Sequence, residues 1–382
     1  MQSWLSRSRI SQMVDALLPV LATLAALAIG AVMLLVLGAN PVAAYGALLE
    51  GAFGSANAVA ETTVKAVPLL LVGIGICISF RGNVINIGGE GQMIIGAILA
   101  TLVGVSFPTW SGWVIIPLAL LAGFVGGAIW GGIPGALKAY FNANEILSTV
   151  MMNAIAVQIM NYLLRGPMID PAQLKLASRI PQTARLEQAF RLPRLAPTRL
   201  HLGAAIAVVL AILVYILLWR TTLGYRIRAV GHNPHASRYG GIQVPRHVVM
   251  SLLLSGAFAG LAGAIQVYGL NYRMITDGSA TGFTGSAGFN GIVAALFGQL
   301  HPIGAIPASF FFGALLVGAN KLQRVMQVPS ALITALNGLV VVFVVSSEIW
   351  RRRRQWKRMT AATSEAEAER EPSSLPDTEV NS

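Results

Sequence analysis

Residues 61–105 read ETTVKAVPLLLVGIGICISFRGNVINIGGEGQMIIGAILATLVGV. Two apolar runs, about 62–80 and 84–104, flank a polar break, RGNVINIGGEGQM, at 81–93. A hydrocarbon core of about 30 Å asks for roughly 20 apolar residues in a helix, and each run has that length. The break is too polar to face lipid, and burying Arg81 or Glu90 without partners is expensive. Asn83, Asn86, Glu90 and Gln92 are therefore expected to face the interior of a helix bundle. They either border a pathway or staple a broken helix, and the residues alone leave both open.

The rest of the chain follows the same pattern. Of 382 residues, 55% are hydrophobic and 11% are charged, against about 25% charged in a soluble domain; mean hydropathy is +0.67. An ordinary soluble enzyme is excluded. Further apolar runs lie at 17–38, 113–137, 145–163, 202–219, 247–269, 288–299, 302–320 and 330–349, predicting an all-α protein with about ten crossings. The run at 17–38 is too long for a signal-peptide core and lacks a small-residue cleavage site. His301 and Pro302 separate two short runs, so 288–320 is either two helices or one kinked helix.

Charge placement orients the chain. Lys and Arg number 27 against 15 Asp and Glu, a net charge of +12. Arg7 and Arg9 precede the first span and RRRRQWKR follows the last, which predicts two cytoplasmic ends and an even number of spans. The expected organisation is a cytoplasmic segment 1–16, a transmembrane region 17–349 and a tail 350–382, basic and then disordered by composition. Within the membrane region, 164–200 forms an external loop and 221–246 a cytoplasmic segment. The basic loop 164–200 pulls against this orientation. Membrane topology accounts for the positive charge, leaving nothing for nucleic acid to explain.

The 40 glycines cluster in the spans as GFVGGAIWGGIPG and SGAFAGLAG, where small residues let helix backbones approach closely. A weak echo links FRGNVINIGGEGQMIIGAILATL (80–102) with FTGSAGFNGIVAALFGQLHPIGA (283–305). Taken as genuine, it predicts two pseudo-repeated halves with broken helices at equivalent places, as in many transporters.

Catalytic and metal chemistry find little support. The lone Cys77 sits in an apolar run and reads as a packed helix residue. His232 and His235 have no third ligand nearby, and no Walker or dinucleotide fingerprint is present. Asn153, Gln158 and Asn161 give the span from 145 a broad polar face without a nucleophile. In TTLGYRIRAVGHNPHASRYGGIQVPRH, 221–247, Asn233 and Pro234 suit a helix cap and first turn, and Gly240 and Gly241 a stop. A short helix along the membrane face is expected, or else a solvated basic turn.

Five segments together carry a resemblance: YGALLEGAFGS (45–55), ETTVKAVPLLLVGIG (61–75), RGNVINIGGEGQMIIGA (81–97), NEILSTVMMN (144–153) and GYRIRAVGHNPHASRYGGI (224–242). The chain resembles a permease subunit of an ATP-binding cassette importer, in the ribose, branched-chain amino acid and nucleoside branch. Its nucleoside-type members are the most similar. The resemblance implies a type II-like permease of the inner membrane that moves solute by alternating access and performs no chemistry of its own. It implies as partners a cytosolic ATPase that binds ATP and Mg, a second homologous or identical permease subunit, membrane lipid, and a periplasmic or lipid-anchored substrate-binding protein. No cofactor is expected in this chain.

In such permeases a coupling helix docks on the ATPase, which implies that role for Arg228, Gly231, His232, Asn233, Pro234, Ala236, Arg238 and Gly240. The loop 164–200 and the tail 359–382 have no counterpart in the resemblance; the loop either contacts the binding protein or is a solvated insertion. For the substrate pathway the candidates are Phe80, Asn83, Asn86, Glu90, Gln92, Asn153, Tyr268, Phe289 and Asn290, aromatic rings to stack on a base and amides to bind hydroxyls. A simple sugar would accept much the same set. An ion-coupled carrier is the remaining alternative, but Glu90, Glu145 and Asp277 are few and unpaired in the sequence.

Overall fold

The computed structural model describes residues 24–36 and 38–327 continuously, with single positions beyond them at 21, 329, 335, 338, 339, 342, 343 and 346. The helices are α1 (Leu24–Val36), α2 (Pro41–Phe53), α3 (Ala56–Arg81), α4 (Gly89–Ser106), α5 (Gly112–Phe141), α6 (Glu145–Arg165) and α7 (Gly203–Arg220). They continue as α8 (Thr222–His232), α9 (Pro234–Tyr239), α10 (Val244–Gln266, prolonged by a π-helical turn Val267–Asn271), α11 (Ala280–Thr284), α12 (Ala287–Phe297) and α13 (Pro302–Met326).

Seven of these are long and apolar enough to cross a membrane: α3, α4, α5, α6, α7, α10 with its π turn, and α13. Trp113, Val209 and Leu213 are exposed on their outer faces, a surface suited to hydrocarbon. The expectation of ten full crossings is corrected at one point. The run 288–299 forms the 11-residue α12, about 16 Å long at 1.5 Å per residue, which is half a bilayer core. Of the run 17–38 the described part is the short helix α1, and the span 330–349 lies, apart from scattered positions, outside the described residues.

The choice between two helices and one kinked helix at 288–320 is decided by a reverse turn. Gln299 and Leu300 both take left-handed backbone, φ 60 and 52. The Leu300 amide donates to Ala295 O at 2.8 Å, and the His301 amide to Gly298 O at 3.1 Å. Gly298 sits so close to α13 that a Cβ there would lie 2.6 Å from Ala305 N. The chain therefore turns back, and α12 and α13 are separate.

Glycine sets the packing at the centre. α5 crosses α10 where a Cβ on Gly127 would fall 2.6 Å from Gly260 Cα, and one on Gly260 would fall 2.7 Å from Gly127 Cα. Backbone meets backbone, gaining dispersion contacts that larger residues would prevent. The helix pairs repeat in kind: α5 lies on α10 as α13 lies on α3, α4 on α10 as α12 on α3, and α4 on α5 as α12 on α13. Exchanging α3 with α10, α4 with α12 and α5 with α13 reproduces the pattern, so the two halves are pseudo-repeats.

Candidate functional site

The N-termini of α4 and α12 meet inside the bundle. A Cβ on Gly89 would lie 3.2 Å from Gly288 Cα, and one on Gly288 2.5 Å from Glu90 N. From this junction the two helices run to opposite ends of the molecule. α12 leads to Leu300, whose carbonyl accepts from Arg81 Nε and Nη2 at 3.4 Å. α4 leads to Gly104, which packs on Leu186 of the segment between α6 and α7.

Helix N-termini leave amide donors unsatisfied and carry partial positive charge, so two of them facing each other need acceptors between them. Gly88, the residue before α4, offers no side-chain cap; neighbouring side chains supply the acceptors instead. Asn86 Oδ1 accepts from the Gly88 amide at 2.8 Å, and Asn86 and Gln92 exchange two hydrogen bonds at 3.0 and 3.1 Å. Asn86 Nδ2 also donates to Ser255 Oγ of α10 at 2.8 Å. From α6, Asn153 Oδ1 accepts from the Gly91 amide at 2.8 Å while its Nδ2 donates to Ile87 O at 2.9 Å. Glu90 of α4 caps the other half: its Oε1 accepts from the Phe289 amide at 3.2 Å, with Thr284 and the Gly288 amide alongside. Glu90 is 1% exposed, and its Oε2 has no hydrogen-bond partner in the described residues.

Among the residues expected to face a pathway, then, Asn86, Glu90, Gln92 and Asn153 are brought together, joined by Phe289, which is exposed at the junction, and Asn290, half-buried beside it. Asn86, Gln92 and Asn153 are fully engaged in holding the helix ends. Phe80 and Asn83 lie at the end of α3, Phe80 packed against the core and Asn83 exposed with left-handed φ 55, a conformation asparagine tolerates. Tyr268 lies instead at the far end of α10, fully buried, its hydroxyl donating to Ala100 O at 2.8 Å. That position corrects the expectation of a cavity-facing ring. Sequence reasoning missed Ser255, Thr284 and Gly288; the first was read only as part of a small-residue cluster and the other two only within the echo at 283–305.

The second site lies at the end reached by α12. Thr221 caps α8, accepting from the Gly224 amide at 3.2 Å. Asn233 caps α9, its Oδ1 accepting from the Ala236 amide at 3.0 Å, with Pro234 at the first helical position and Gly240 at the end. The expected short helix over 233–240 is therefore present. A groove of about 730 Å3 opens between α8, α9 and the start of α10, lined by Tyr225, His232, Asn233, Ala236, Gly240 and Arg246 among others. His232, Asn233, Pro234, Ala236, Arg238 and Gly240 are exposed, and Tyr239, at the tip, is 95% exposed.

Arg228 and Gly231 turn the other way. The Arg228 and Arg81 guanidinium carbons lie 5.8 and 5.2 Å from the Trp219 ring centroid, and the His301 ring lies tilted against the same ring at 4.9 Å. A Cβ on Gly231 would overlap the Arg81 carbonyl, 2.9 Å from its carbon and closer to its oxygen. Gly231 thus joins the exposed helix to the end of α3, seven residues of chain before α4 begins.

The segment between α6 and α7, at the opposite end, is not a solvated insertion. The Thr183 amide donates to Met274 O, the Leu186 amide to Tyr272 O and the Leu192 amide to Tyr268 O, at 2.8 to 3.0 Å, and Leu186, Phe190 and Leu192 are buried. Arg185 and Arg191 lie over the Tyr272 ring, and Arg199 pairs with Glu61 at 3.1 Å. His201 is buried there with its Nδ1 accepting from the Gly203 amide at 3.1 Å; loss of hydration of the charged ring pushes its pKa down to about 4. Lys175, Arg179 and Arg194 remain on the surface. Among the described residues no group of three or more His, Cys, Asp or Glu side chains could hold a metal ion.

Residues 58–345 match the family described as branched-chain amino acid transport system, permease component. A guanosine ABC transporter permease protein of Bacillus subtilis is 36% identical over 331 residues, covering 87% of this chain and 93% of the relative. A glucose ABC transporter permease protein of Haloferax volcanii is 35% identical over 351 residues, 88% of each chain. A nucleoside ABC transporter permease protein of Lactococcus lactis is 29% identical over 332 residues, 86% of this chain and 90% of the relative. No solved structure matches the chain.

Proposed function

This chain belongs to the family of permease components of ATP-binding cassette importers, as a non-catalytic, multi-pass membrane subunit, and we propose that the solute it carries is a nucleoside. The observation that carries the substrate is the extent of likeness to the guanosine and nucleoside permeases, which runs through nearly the whole of those proteins. The glucose permease of similar identity makes a simple sugar the second reading.

Coupling is assigned to α9. An aromatic ring as exposed as Tyr239 beside a groove of about 730 Å3 is the form of a docking surface that a partner completes, here a separate ATPase. Gly231 passes its movement to the end of α3 and so to the α4–α12 junction. Two helix ends held by exchangeable hydrogen bonds can open without unfolding either helix, as broken helices do in other transporters. The ten-crossing topology is kept in modified form. The irregular segment 272–279 and α11 lead into α12, so that the eighth crossing is half irregular backbone, tolerated where protein surrounds it. The α8–α9 end is assigned to the cytoplasm and the 166–202 cap to the outside, where its exposed arginines offer a basic surface to a substrate-binding protein. A second permease subunit completes the assembly.

Uptake into proteoliposomes holding the permease, its ATPase and its receptor tests this. ATP-dependent entry of unaltered labelled guanosine, uncompeted by glucose, is expected. Entry of glucose with guanosine inert would establish the sugar reading instead.

A further inference from the structure

A cavity of about 350 Å3 lies between α3, the π turn of α10, the α11–α12 lead and α13, next to the α4–α12 hydrogen-bond network. Lys65, His201, Asn271, Thr284 and Asn320 line it, while Pro68 and Phe283 give it apolar wall. The size is that of a small-molecule site, and such sites combine apolar walls with a few convergent polar groups.

Lys65, Asn271 and Asn320 are exposed on the cavity wall, while His201 and Thr284 are buried. Lys65 is nine residues into α3, about 14 Å below its start, inside a span of mean hydropathy 2.0. Glu61, one turn above, is taken by Arg199, and Lys65 has neither ion pair nor hydrogen bond among the described residues. An ammonium without a counter-ion at that depth is costly against lipid, so this side of α3 faces water or solute. The amides of Asn271 and Asn320 make no side-chain hydrogen bond within the described residues. His201, whose Nδ1 accepts from the Gly203 amide, is 2% exposed and packs under Gly269. There is no carboxylate in the cavity lining.

We propose that this cavity is a solute site within a single permease subunit, which takes a purine nucleoside by the acceptor edge of its base. Lys65 donates to that edge as lysine does to the O6 and N7 atoms of guanine. Asn271 and Asn320 hold the ribose hydroxyls. Thr284 belongs both to the lining and to the surroundings of Glu90, so an occupied site abuts the α4–α12 junction. The class of ligand rests on the nucleoside reading above; the site itself rests on the cavity and its unpaired donors.

The reconstituted complex provides the test. Cys77, the one cysteine of the sequence, is buried, so Leu316→Cys in the cavity wall gives this chain a single reactive thiol for a small methanethiosulfonate reagent, read on the permease band after the subunits are separated. Guanosine at about ten times its Kd should slow labelling about tenfold. Lys65→Met should remove that protection at the same concentration and Lys65→Arg keep it; the Met variant loses an unpaired charge from a span and inserts at least as well. Labelling unchanged by guanosine in a complex that imports it overturns the site and leaves the import reading standing. Protection by glucose alone overturns the purine class. Should Leu316→Cys fail to assemble, equilibrium binding of labelled guanosine to the wild-type and Lys65→Met permease–ATPase complexes, prepared without the receptor, decides, and equal affinities refute the proposal.

Discussion

Replacing Gly231 with alanine asks whether the exposed helix α9 and the broken-helix junction move as one. The added methyl would stand 2.9 Å from the Arg81 carbonyl carbon, nearer its oxygen, and 3.1 Å from Asn83 N. Ordinary carbon contacts need about 3.5–4.0 Å, so α8 and the end of α3 must part by about 1 Å. Both neighbours are backbone and cannot step aside by changing rotamer. Overpacking of this kind costs about 1–3 kcal/mol, which shifts a balance between two permease conformations by roughly 5- to 150-fold. The exposed faces of Asn233, Ala236 and Tyr239 are untouched, so the ATPase should still co-purify. The expected result is an assembled complex that hydrolyses ATP while solute uptake falls at least about tenfold, a loss of about 1.4 kcal/mol in coupling. Gly132→Ala, whose methyl meets nothing nearer than Leu253 Cδ1 at 3.9 Å, serves as the control. Uptake by Gly231→Ala equal to that control would refute the reasoning, and loss of the ATPase on purification would place Gly231 in the docking surface itself.

Gly260→Ala pushes a methyl against the α5 backbone, and should lower the detergent melting temperature of the permease by an amount corresponding to about 1–3 kcal/mol; an unchanged melting curve would mean that the two helices are free to separate. Asn153→Ala leaves the buried Gly91 amide and Ile87 carbonyl unpaired, at a cost of about 1–3 kcal/mol each in desolvation, and faster hydrogen exchange at the start of α4 is expected without change in α7. The His201 pKa, ordinarily near 6.5 and held at about 4 by burial, makes the unfolded cap bind more protons between those values, so stability rises with pH there. As the medium falls from pH 6.5 towards 4, the cap should lose on the order of 3 kcal/mol, read as increased exchange over 181–202 after correction for intrinsic rates. His201→Phe should flatten that dependence, and a persistent slope would assign it to another group.

The sequence made the spans legible wherever an apolar run is long, because the bilayer sets one length for a helix. The runs at 113–137, 145–163, 202–219 and 302–320 all return as helices, their starts within one residue and their ends extended by one to six. Over 233–240 even the boundaries are local: an asparagine cap, a proline in the first turn and a terminal glycine each act within four residues. The run 288–299 misled because hydropathy measures composition and not depth. An 11-residue helix buried against α3 and α4 is as apolar as a crossing one.

The pathway candidates divide on the same line. Asn86, Gln92 and Glu90 lie within seven residues, and their polarity inside an apolar region marked them. What they bind did not show, since Ser255 and Phe289 are 169 and 199 residues distant in the chain. Composition and the length of the apolar runs thus determined that this is a membrane helix bundle, while between a short helix and a basic turn at 233–240 the structure chose the helix. Only the tertiary structure decided which polar residues hold helix ends together and that Gly231 faces inward. It also decided that Lys65 stands unpaired, among the described residues, over a cavity. Hydrogen bonds and backbone contacts are satisfied by whatever the fold brings near, and that proximity is set by packing across the two halves, which no local pattern records.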